Sequence, residues 1–154
     1  MRRVVFDSNA IDPLAVTEGA FETLKEATVS GSLEVLYTHI TIDELTAIPD
    51  PGRRSLLVLL MADLGRLVPT GTAAVDFSRL NFCRVGSDTD GDLLEALRSG
   101  NVNHTRDALI ASTARYEKCA LVTNERRLTA RSREWDIEVL TTQELLAEFA
   151  TPAT

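Results

Sequence analysis

Short apolar segments alternate with longer segments of helical character along nearly the whole chain, and this alternation restricts the fold more than any other feature. The short segments are apolar at consecutive positions, which is typical of strands buried on both faces of a sheet. Strands are predicted at 3–6, 33–38, 119–123 and 137–140, and helices at 12–29, from 41 to Pro49, and at 53–67, 92–99, 105–118, 125–131 and 141–149. The order predicts an α/β fold in which a parallel sheet is covered by helices on both faces.

Several helix ends carry recognisable signals. Thr41 with Glu44, and Thr141 with Glu144, have the form of capping boxes. Gly100 is predicted to end the 92–99 helix. Residues 70–89 show no clear pattern, and together with the chain length they indicate an insertion.

Composition and charge narrow the class of protein. The 154 residues, 44% apolar and 25% charged, are expected to form a single domain over 1–154. The longest apolar run, 56–62, is too short for a membrane helix, and the N-terminus lacks an export signal. Two cysteines without a Cys-x-x-Cys spacing fit a reducing cytoplasm. A net charge of −7 argues against non-specific nucleic-acid binding.

Four acids map to one edge of the predicted sheet. Asp7 ends the first strand, Glu44 and Asp107 lie in the first turns of helices, and Glu125 follows the 119–123 strand. Because helices that connect parallel strands begin at the carboxyl edge, the four are expected to converge there. Each acid also has a structural interpretation: Glu44 as a capping-box partner, Asp107 and Glu125 as acids that favour the helix dipole, and Asp7 as part of a turn.

A cluster of carboxylates needs a positive charge within it, because repulsion and burial otherwise raise the pKa of each acid. Oxygen ligands suit Mg²⁺ or Mn²⁺, and the chain offers no cluster of histidines or cysteines for zinc. Such a cation can activate water and stabilise charge on a phosphate that is being cleaved. The acids therefore predict a site for a divalent cation.

Four motifs resemble the PIN-domain family in their order. They are Val4-Val5-Phe6-Asp7-Ser8-Asn9, Thr41-Ile42-Asp43-Glu44-Leu45, Asp107-Ala108-Leu109-Ile110-Ala111-Ser112-Thr113-Ala114 and Leu121-Val122-Thr123-Asn124-Glu125-Arg126. The resemblance runs from Val4 to about Leu145. The PIN-domain family includes the VapC-type toxin ribonucleases. The resemblance implies a PIN-like three-layer α/β/α sandwich with about five mostly parallel strands. It also implies Mg²⁺- or Mn²⁺-dependent cleavage of RNA, a homodimer and a cognate antitoxin.

The resemblance assigns roles residue by residue. Asp7, Glu44 and Asp107 match the three firmest acids of the family, and Glu125 stands where the family usually has Asp. Arg127 replaces a further acid of that motif. Asp7, Glu44, Asp107 and Glu125 are therefore predicted to be the catalytic and metal-binding residues. The altered segment keeps an alternative open, a catalytically silent PIN-like module that binds nucleic acid or protein.

Supporting roles follow from position and residue type. Ser8, Asn9 and Thr123 are predicted to orient the carboxylates through hydrogen bonds, or else to serve as turn and cap residues. Arg126 and Arg127 open the densest basic run and are predicted to bind substrate phosphates, although a solvated helix face has the same pattern.

Three further features have competing interpretations. The apolar stretch 56–61 fits core packing, and otherwise a homodimer face or a groove for a partner helix. His104 is given no role. A haloacid-dehalogenase-like phosphatase also ends its first strand in Asp, but it would want Asp where Asn9 stands, so this reading ranks last.

Overall fold

One parallel sheet organises the chain. The computed structural model describes residues 1–98 and 101–150, and within these ranges five strands pair in the order β3-β2-β1-β4-β5. They are β1 (Arg2–Phe6), β2 (Leu33–Tyr37), β3 (Arg66–Leu67), β4 (Ala120–Val122) and β5 (Val139–Leu140). All four pairings are parallel, with Val5 of β1 opposite Leu36 of β2 and Leu121 of β4.

Helices cover both faces of this sheet. They are α1 (Asp12–Val16), α2 (Ala20–Val29), α3 (His39–Thr46), α4 (Pro51–Leu64), α5 (Asp88–Arg98), α6 (Thr105–Tyr116), α7 (Arg126–Glu134) and α8 (Thr142–Phe149), with short 3₁₀ turns at Ser8–Ala10 and Val102–His104. Apolar residues of α1, α2, α4 and α8 form one core, and those of α5, α6 and α7 form the other. The arrangement confirms the predicted α/β class and the three-layer sandwich.

The central strand β1 explains why two cores are needed. Val4 and Phe6 point into the first core and Val5 into the second, and all three are fully buried. Successive side chains of a strand point to opposite faces, so a strand that is apolar at every position must be covered on both. The apolar run ends at Asp7, which places a carboxylate at the carboxyl end of this buried strand.

The predicted bounds of several helices differ from the structure: the 92–99 helix begins at Asp88, and the 125–131 helix extends to Glu134. The predicted 12–29 helix is wrong as a single element, because Thr17 is extended and Gly19 adopts a left-handed conformation (φ 73°) between α1 and α2. The predicted 53–67 helix runs from Pro51 to Leu64 and is followed by the unpredicted strand β3. With only two exposed residues, Arg66 and Leu67, β3 gives no apolar signal.

The capping boxes have opposite outcomes. At Thr141 the box is present in full, as predicted. At Thr41 it is wrong, because α3 begins earlier and Thr38 is its N-cap. The Thr41 hydroxyl instead donates to the Phe6 carbonyl (3.1 Å), which ties α3 to the end of β1. Glu44 consequently lies in the second turn of α3 rather than the first.

Most of the stretch that shows no clear sequence pattern forms an irregular loop at residues 70–87, which we call the 70–87 segment. It packs on α6, where the Gly71 N–H donates to Thr113 Oγ1 (3.0 Å). A Cβ at Gly71 would lie 2.6 Å from the Ser112 carbonyl oxygen, so only glycine permits this approach. The predicted stop at Gly100, with Ser99, lies outside the described residues. Among the described helices, none is long and apolar enough to cross a membrane.

Candidate active site

Asp7 is the most buried acid of the predicted cluster, with 2% of its surface exposed. Thr123 Oγ1 donates to its Oδ2 (2.8 Å), and the Ser8 backbone N–H donates to Oδ1 (2.7 Å). Burial is the main cause that raises the pKa of Asp7, and these hydrogen bonds act in the opposite direction. The pairing of β1 with β4 fixes this contact, because Phe6 lies opposite Val122 and the next residues, Asp7 and Thr123, therefore meet.

Thr123 and Asn9 join the two strand ends. The Thr123 hydroxyl accepts from the Glu125 N–H (3.2 Å) while it donates to Asp7. Asn9 Oδ1 accepts from the Asn124 N–H (2.9 Å), and Asn124 Nδ2 donates to the Asn9 carbonyl (3.3 Å). Thr123 thus contacts a predicted acid directly, whereas Asn9 holds the loop after β1 against the loop after β4.

Glu44 reaches the same edge from α3. Its Oε2 accepts a hydrogen bond from the Ser8 hydroxyl, so Ser8 contacts Asp7 through its backbone and Glu44 through its side chain. The pKa of Glu44 is raised to about 7, mainly by burial, with the hydrogen bond from Ser8 lowering it and the charges of Asp7 and Asp107 raising it. The influence of both acids on Glu44 indicates that the three carboxylates share one electrostatic environment.

Asp107 occupies the first turn of α6, as predicted, and is half-buried. Its pKa is raised to about 6, first by burial and then by the charges of Asp7 and Glu125. His104 and Arg131 lower it. Among the described residues, Asp7, Glu44 and Asp107 form no ion pair with a basic side chain, so the repulsion between them is not offset by direct contact.

Glu125 lies near the other acids but is used differently. It is the N-cap of α7, where Oε1 accepts from the Arg127 N–H (3.0 Å) and Oε2 from the Leu128 N–H. Both carboxylate oxygens therefore bind the helix terminus. The charge of Glu125 still raises the pKa of Asp7 and Asp107. Glu125 therefore caps α7, and its negative charge also lies close enough to Asp7 and Asp107 to raise their pKa values.

Removing this cap is expected to destabilise the chain. Glu125→Ala should lower the free energy of unfolding by about 1 kcal/mol, because two N–H groups of α7 lose their acceptor. Glu125→Asp should keep it close to the parent value, since Asp is a preferred N-cap residue. Urea denaturation of the three proteins measures the difference. Equal stability of the Ala variant and the parent would show that the cap contributes nothing.

Basic residues other than Arg126 and Arg127 influence the pKa of the acids. Arg126 and Arg127 are exposed on α7, and Arg126 lines a shallow pocket of about 390 Å³ between α7 and the start of α8. Arg131 instead donates to His104 Nδ1 (2.8 Å) and to the Leu97 carbonyl (2.8 Å). Arg106, beside Asp107 in α6, lowers the pKa of Glu44.

The sequence contained a partial signal for Arg131. The buried residues of α7 are Leu128 and Ser132. On the helical wheel Arg131 lies beside this buried face, whereas Arg126 and Arg127 lie farther from it. For Arg106 and His104, only their proximity to Asp107 in the sequence pointed to the site.

The donor set limits what the site could hold. Among residues 1–98 and 101–150, no three His, Cys, Asp or Glu side chains form a group that by itself could bind a metal ion. Asp7, Glu44 and Asp107 could nevertheless hold a hard cation partly through water, which is how Mg²⁺ usually binds proteins. Their oxygen-only chemistry suits a hard cation such as Mg²⁺ or Mn²⁺ better than zinc, which prefers nitrogen and sulfur ligands.

Comparison with solved structures supports the fold. PAE2754 from Pyrobaculum aerophilum superposes with a TM-score of 0.58 at 19% identity, covering 96% of this chain and 95% of that one. FitAcB from Neisseria gonorrhoeae gives 0.47 at 16% identity (91% and 98%), and FitAB bound to an IR36 DNA fragment gives 0.46 at 14% (90% and 94%). No protein-family model and no curated protein matches the sequence. At this identity, PAE2754 shows a shared fold alone.

Proposed function

We propose that the chain is a Mg²⁺- or Mn²⁺-dependent endoribonuclease that hydrolyses phosphodiester bonds of RNA, and that it acts in the cytoplasm as the toxin of a toxin–antitoxin pair. The observation that supports the proposal is that Asp7, Glu44 and Asp107 influence one another electrostatically at the carboxyl edge of the sheet, each with a raised pKa, while Ser8 is hydrogen-bonded to both Asp7 and Glu44. The order of its motifs, which resembles that of PIN domains, supplies the substrate class.

Asp7, Glu44 and Asp107 are the residues that would hold the cation, with Glu125 adding negative charge beside them. A bound divalent ion would polarise a water molecule and stabilise charge on the phosphate under attack. The mutual repulsion of the acids supports this assignment, because a cation removes the electrostatic cost that burial and like charges impose. The capping role of Glu125 argues for three principal acids rather than four.

The chain's own side chains supply positioning and proton transfer. Thr123 and the Ser8 backbone fix both oxygens of Asp7, which keeps that carboxylate in one orientation. Glu44 reaches the same edge as Asp7 and contacts Ser8, so it is placed to accept a proton from the attacking water. Arg131, which donates to His104 Nδ1, brings positive charge toward Asp107, where a phosphate would need it.

The partner proposals rest on one surface of α4. Leu57 and Met61 are buried, as the core interpretation of 56–61 requires, but Leu56 and Leu59 are 47% and 67% exposed. Together with the exposed Val16 of α1, they leave an apolar face on this side of the sheet. Such a face suits a homodimer contact or the binding of an antitoxin helix.

A second candidate function is a catalytically silent PIN-like module. Glu125 favours it, because both of its oxygens are engaged by backbone N–H groups of α7 and Arg127 replaces a further acid. Metal binding separates the two proposals. A silent module should gain little stability from Mn²⁺, and Asp7→Asn should leave its ligand binding unchanged.

Cleavage of labelled RNA tests the principal proposal. The purified chain should degrade a structured RNA with exposed loops when Mn²⁺ or Mg²⁺ is present and should lose this activity in EDTA. Asp7→Asn should abolish cleavage, because Asn keeps the size of the side chain but removes its charge at the centre of the cluster. Persistent cleavage by Asp7→Asn, or equal cleavage in EDTA, would refute the mechanism.

A further inference from the structure

The 70–87 segment contacts both helices that carry Glu44 and Asp107, α3 and α6. His39 Nε2, in the first turn of α3, donates to the Phe77 carbonyl (3.3 Å), and the His39 ring lies 5.8 Å from that of Phe82. Arg79 pairs with Asp43 (2.8 Å), the residue next to Glu44. On the other side, Gly71 is bonded to α6. The segment therefore borders the acidic edge along one side.

Phe77, an aromatic residue of the 70–87 segment, is paired with Arg106 of α6. The Arg106 guanidinium carbon lies 5.7 Å from the centre of the Phe77 ring, within the range of a cation–π contact. Arg106 is exposed and directly precedes Asp107, while Phe77 is half-buried against the core. An aromatic ring and an arginine thus stand together beside the acid cluster.

A cleft of about 700 Å³ opens next to this pair, between the 70–87 segment and α5. Phe77 and Leu94 contribute apolar surface to it, and Arg98 and Thr105 contribute polar groups. The lining also includes three carboxylates, Asp76, Asp92 and Glu95, which can accept hydrogen bonds from the N–H edges of a base, and Glu95 pairs with Arg98 (2.6 Å). Phe77 itself lines the cleft, and Thr105, the residue before Arg106, lines it as well, so the cleft adjoins the Phe77–Arg106 pair. Its size admits a nucleoside, and its mixed lining suits a flat heterocycle that carries polar edges.

We propose that Phe77 and Arg106 form a stacking site for a nucleobase of single-stranded RNA, with the cleft receiving that base and Arg106 also binding the adjoining phosphate. The site deepens the proposed function, on which it rests for its substrate. Base stacking on an aromatic ring is tolerant of sequence, and an adjacent arginine adds attraction to the base and the backbone. The few aromatic residues of the chain are sufficient for one such position.

Fluorescence anisotropy with a labelled single-stranded RNA measures binding at this site. The titration uses the Asp107→Asn background in EDTA, so that cleavage is suppressed. Phe77→Leu, which keeps an apolar side chain against the core, should raise the Kd about 5- to 30-fold through lost stacking. Phe21→Leu is the matched control, because Phe21 is also half-buried but belongs to the opposite core, and it should leave the Kd unchanged.

The salt dependence of binding tests Arg106. Arg106→Gln should reduce the slope of log K against log salt by about 0.7, the value for one lost phosphate contact on a single strand. Arg115→Gln is the control on the same helix, because Arg115 lies over the Trp135 ring at the same 5.7 Å but at the other end of α6. A merely structural Arg106 would leave the slope unchanged.

The outcomes separate this inference from the proposed function. Unchanged RNA affinity in Phe77→Leu, or an equal loss of affinity for duplex RNA of the same sequence, would overturn the stacking site, since bases in a duplex are not available to stack. No RNA binding by the parent protein would overturn it as well. If Phe77 controls RNA affinity but the unmodified chain cuts no RNA, the stacking site stands and the nuclease proposal falls.

Discussion

Replacing Asp107 by Asn is expected to slow metal-dependent RNA cleavage by about a hundredfold or more, while raising the thermal stability of the metal-free protein at pH 8. The loss of activity follows from removing one of three charges that would hold the cation. The gain in stability follows from the same removal, because Asp7 and Glu125 repel the ionised Asp107 in the folded chain. Activity and stability should therefore change in opposite directions.

The sign of the stability effect comes from the pKa of Asp107, which is about 6 in the folded chain against an ordinary value of 3.8. The folded state holds this proton more tightly than the unfolded state does, so ionisation above pH 6 works against folding. Asn cannot ionise and avoids that cost. Thermal unfolding in EDTA, followed by circular dichroism, and initial cleavage rates in Mn²⁺ measure the two halves of the prediction.

Asp136→Asn provides the control. Asp136 is exposed in a left-handed conformation (φ 57°) that Asn also tolerates, and it lies before β5 at the opposite edge of the sheet. It changes the net charge equally and should alter neither property. If Asp107→Asn cleaves RNA at the parent rate, Asp107 is not part of the reaction. If Asp107→Asn is less stable in EDTA at pH 8, the repulsion inferred from the geometry is wrong.

Mn²⁺ or Mg²⁺ is expected to stabilise the protein strongly at pH 8 and weakly at pH 5. At a metal concentration a hundred times the Kd, the gain should be about 2.7 kcal/mol, or roughly 5–10 °C in Tm for a chain of this size. At pH 5 protons occupy Glu44 and Asp107, whose pKa values are about 7 and 6, and a metal must displace them. Thermal unfolding at both pH values, with and without metal, gives the comparison.

The metal-free protein should also show a distinctive pH profile. Between about pH 4 and pH 7 the folded chain binds more protons than the unfolded chain, because Glu44 and Asp107 have raised pKa values, so stability should fall as pH rises through this window. Hydrogen bonds from arginines lower the pKa values of Glu34 and Glu138. These two residues stabilise the folded chain when ionised, and this stabilisation is lost as the pH falls below that window. The stability of the metal-free protein should therefore be greatest near the acidic end of this pH window.

A silent module would give a different result. An equal metal-induced shift at pH 5 and pH 8, or an undiminished shift in Asp107→Asn, would place the cation elsewhere on the chain. No shift at either pH would favour the module that binds without cleaving.

The sheet was predictable where strands are buried and not where they are exposed. β1 carries an unbroken apolar run that requires cover on both faces, and the structure confirms it. β3 has two exposed residues and owes its place to pairing with Leu36 and Tyr37 of β2, which no local pattern encodes. The break at Gly19 depends on one backbone conformation, and a helical pattern continues across it.

The acid cluster was predictable in its location but not in the detailed contacts of each acid. Topology alone brings Asp7, Glu44 and Asp107 to one edge, because helices that follow parallel strands begin there. Whether a carboxylate faces the cluster or its own helix depends on side-chain direction, and Glu125 faces the first turn of α7. The predicted Arg126 and Arg127 lie before the buried face of that helix, while Arg131 lies beside it.

The position of β1 between β2 and β4 sets an order of assembly during synthesis. Asp7 and its hydrogen-bond donor Thr123 are 116 residues apart in the chain but adjacent in the sheet. A growing polypeptide that has left the ribosome as far as α4 carries Asp7 and Glu44, but it has neither Asp107 nor the strand that closes the second edge of β1. Under the proposed function, a translating ribosome holds a chain that cannot cut the message it is reading until Asp107 and β4 have been synthesised.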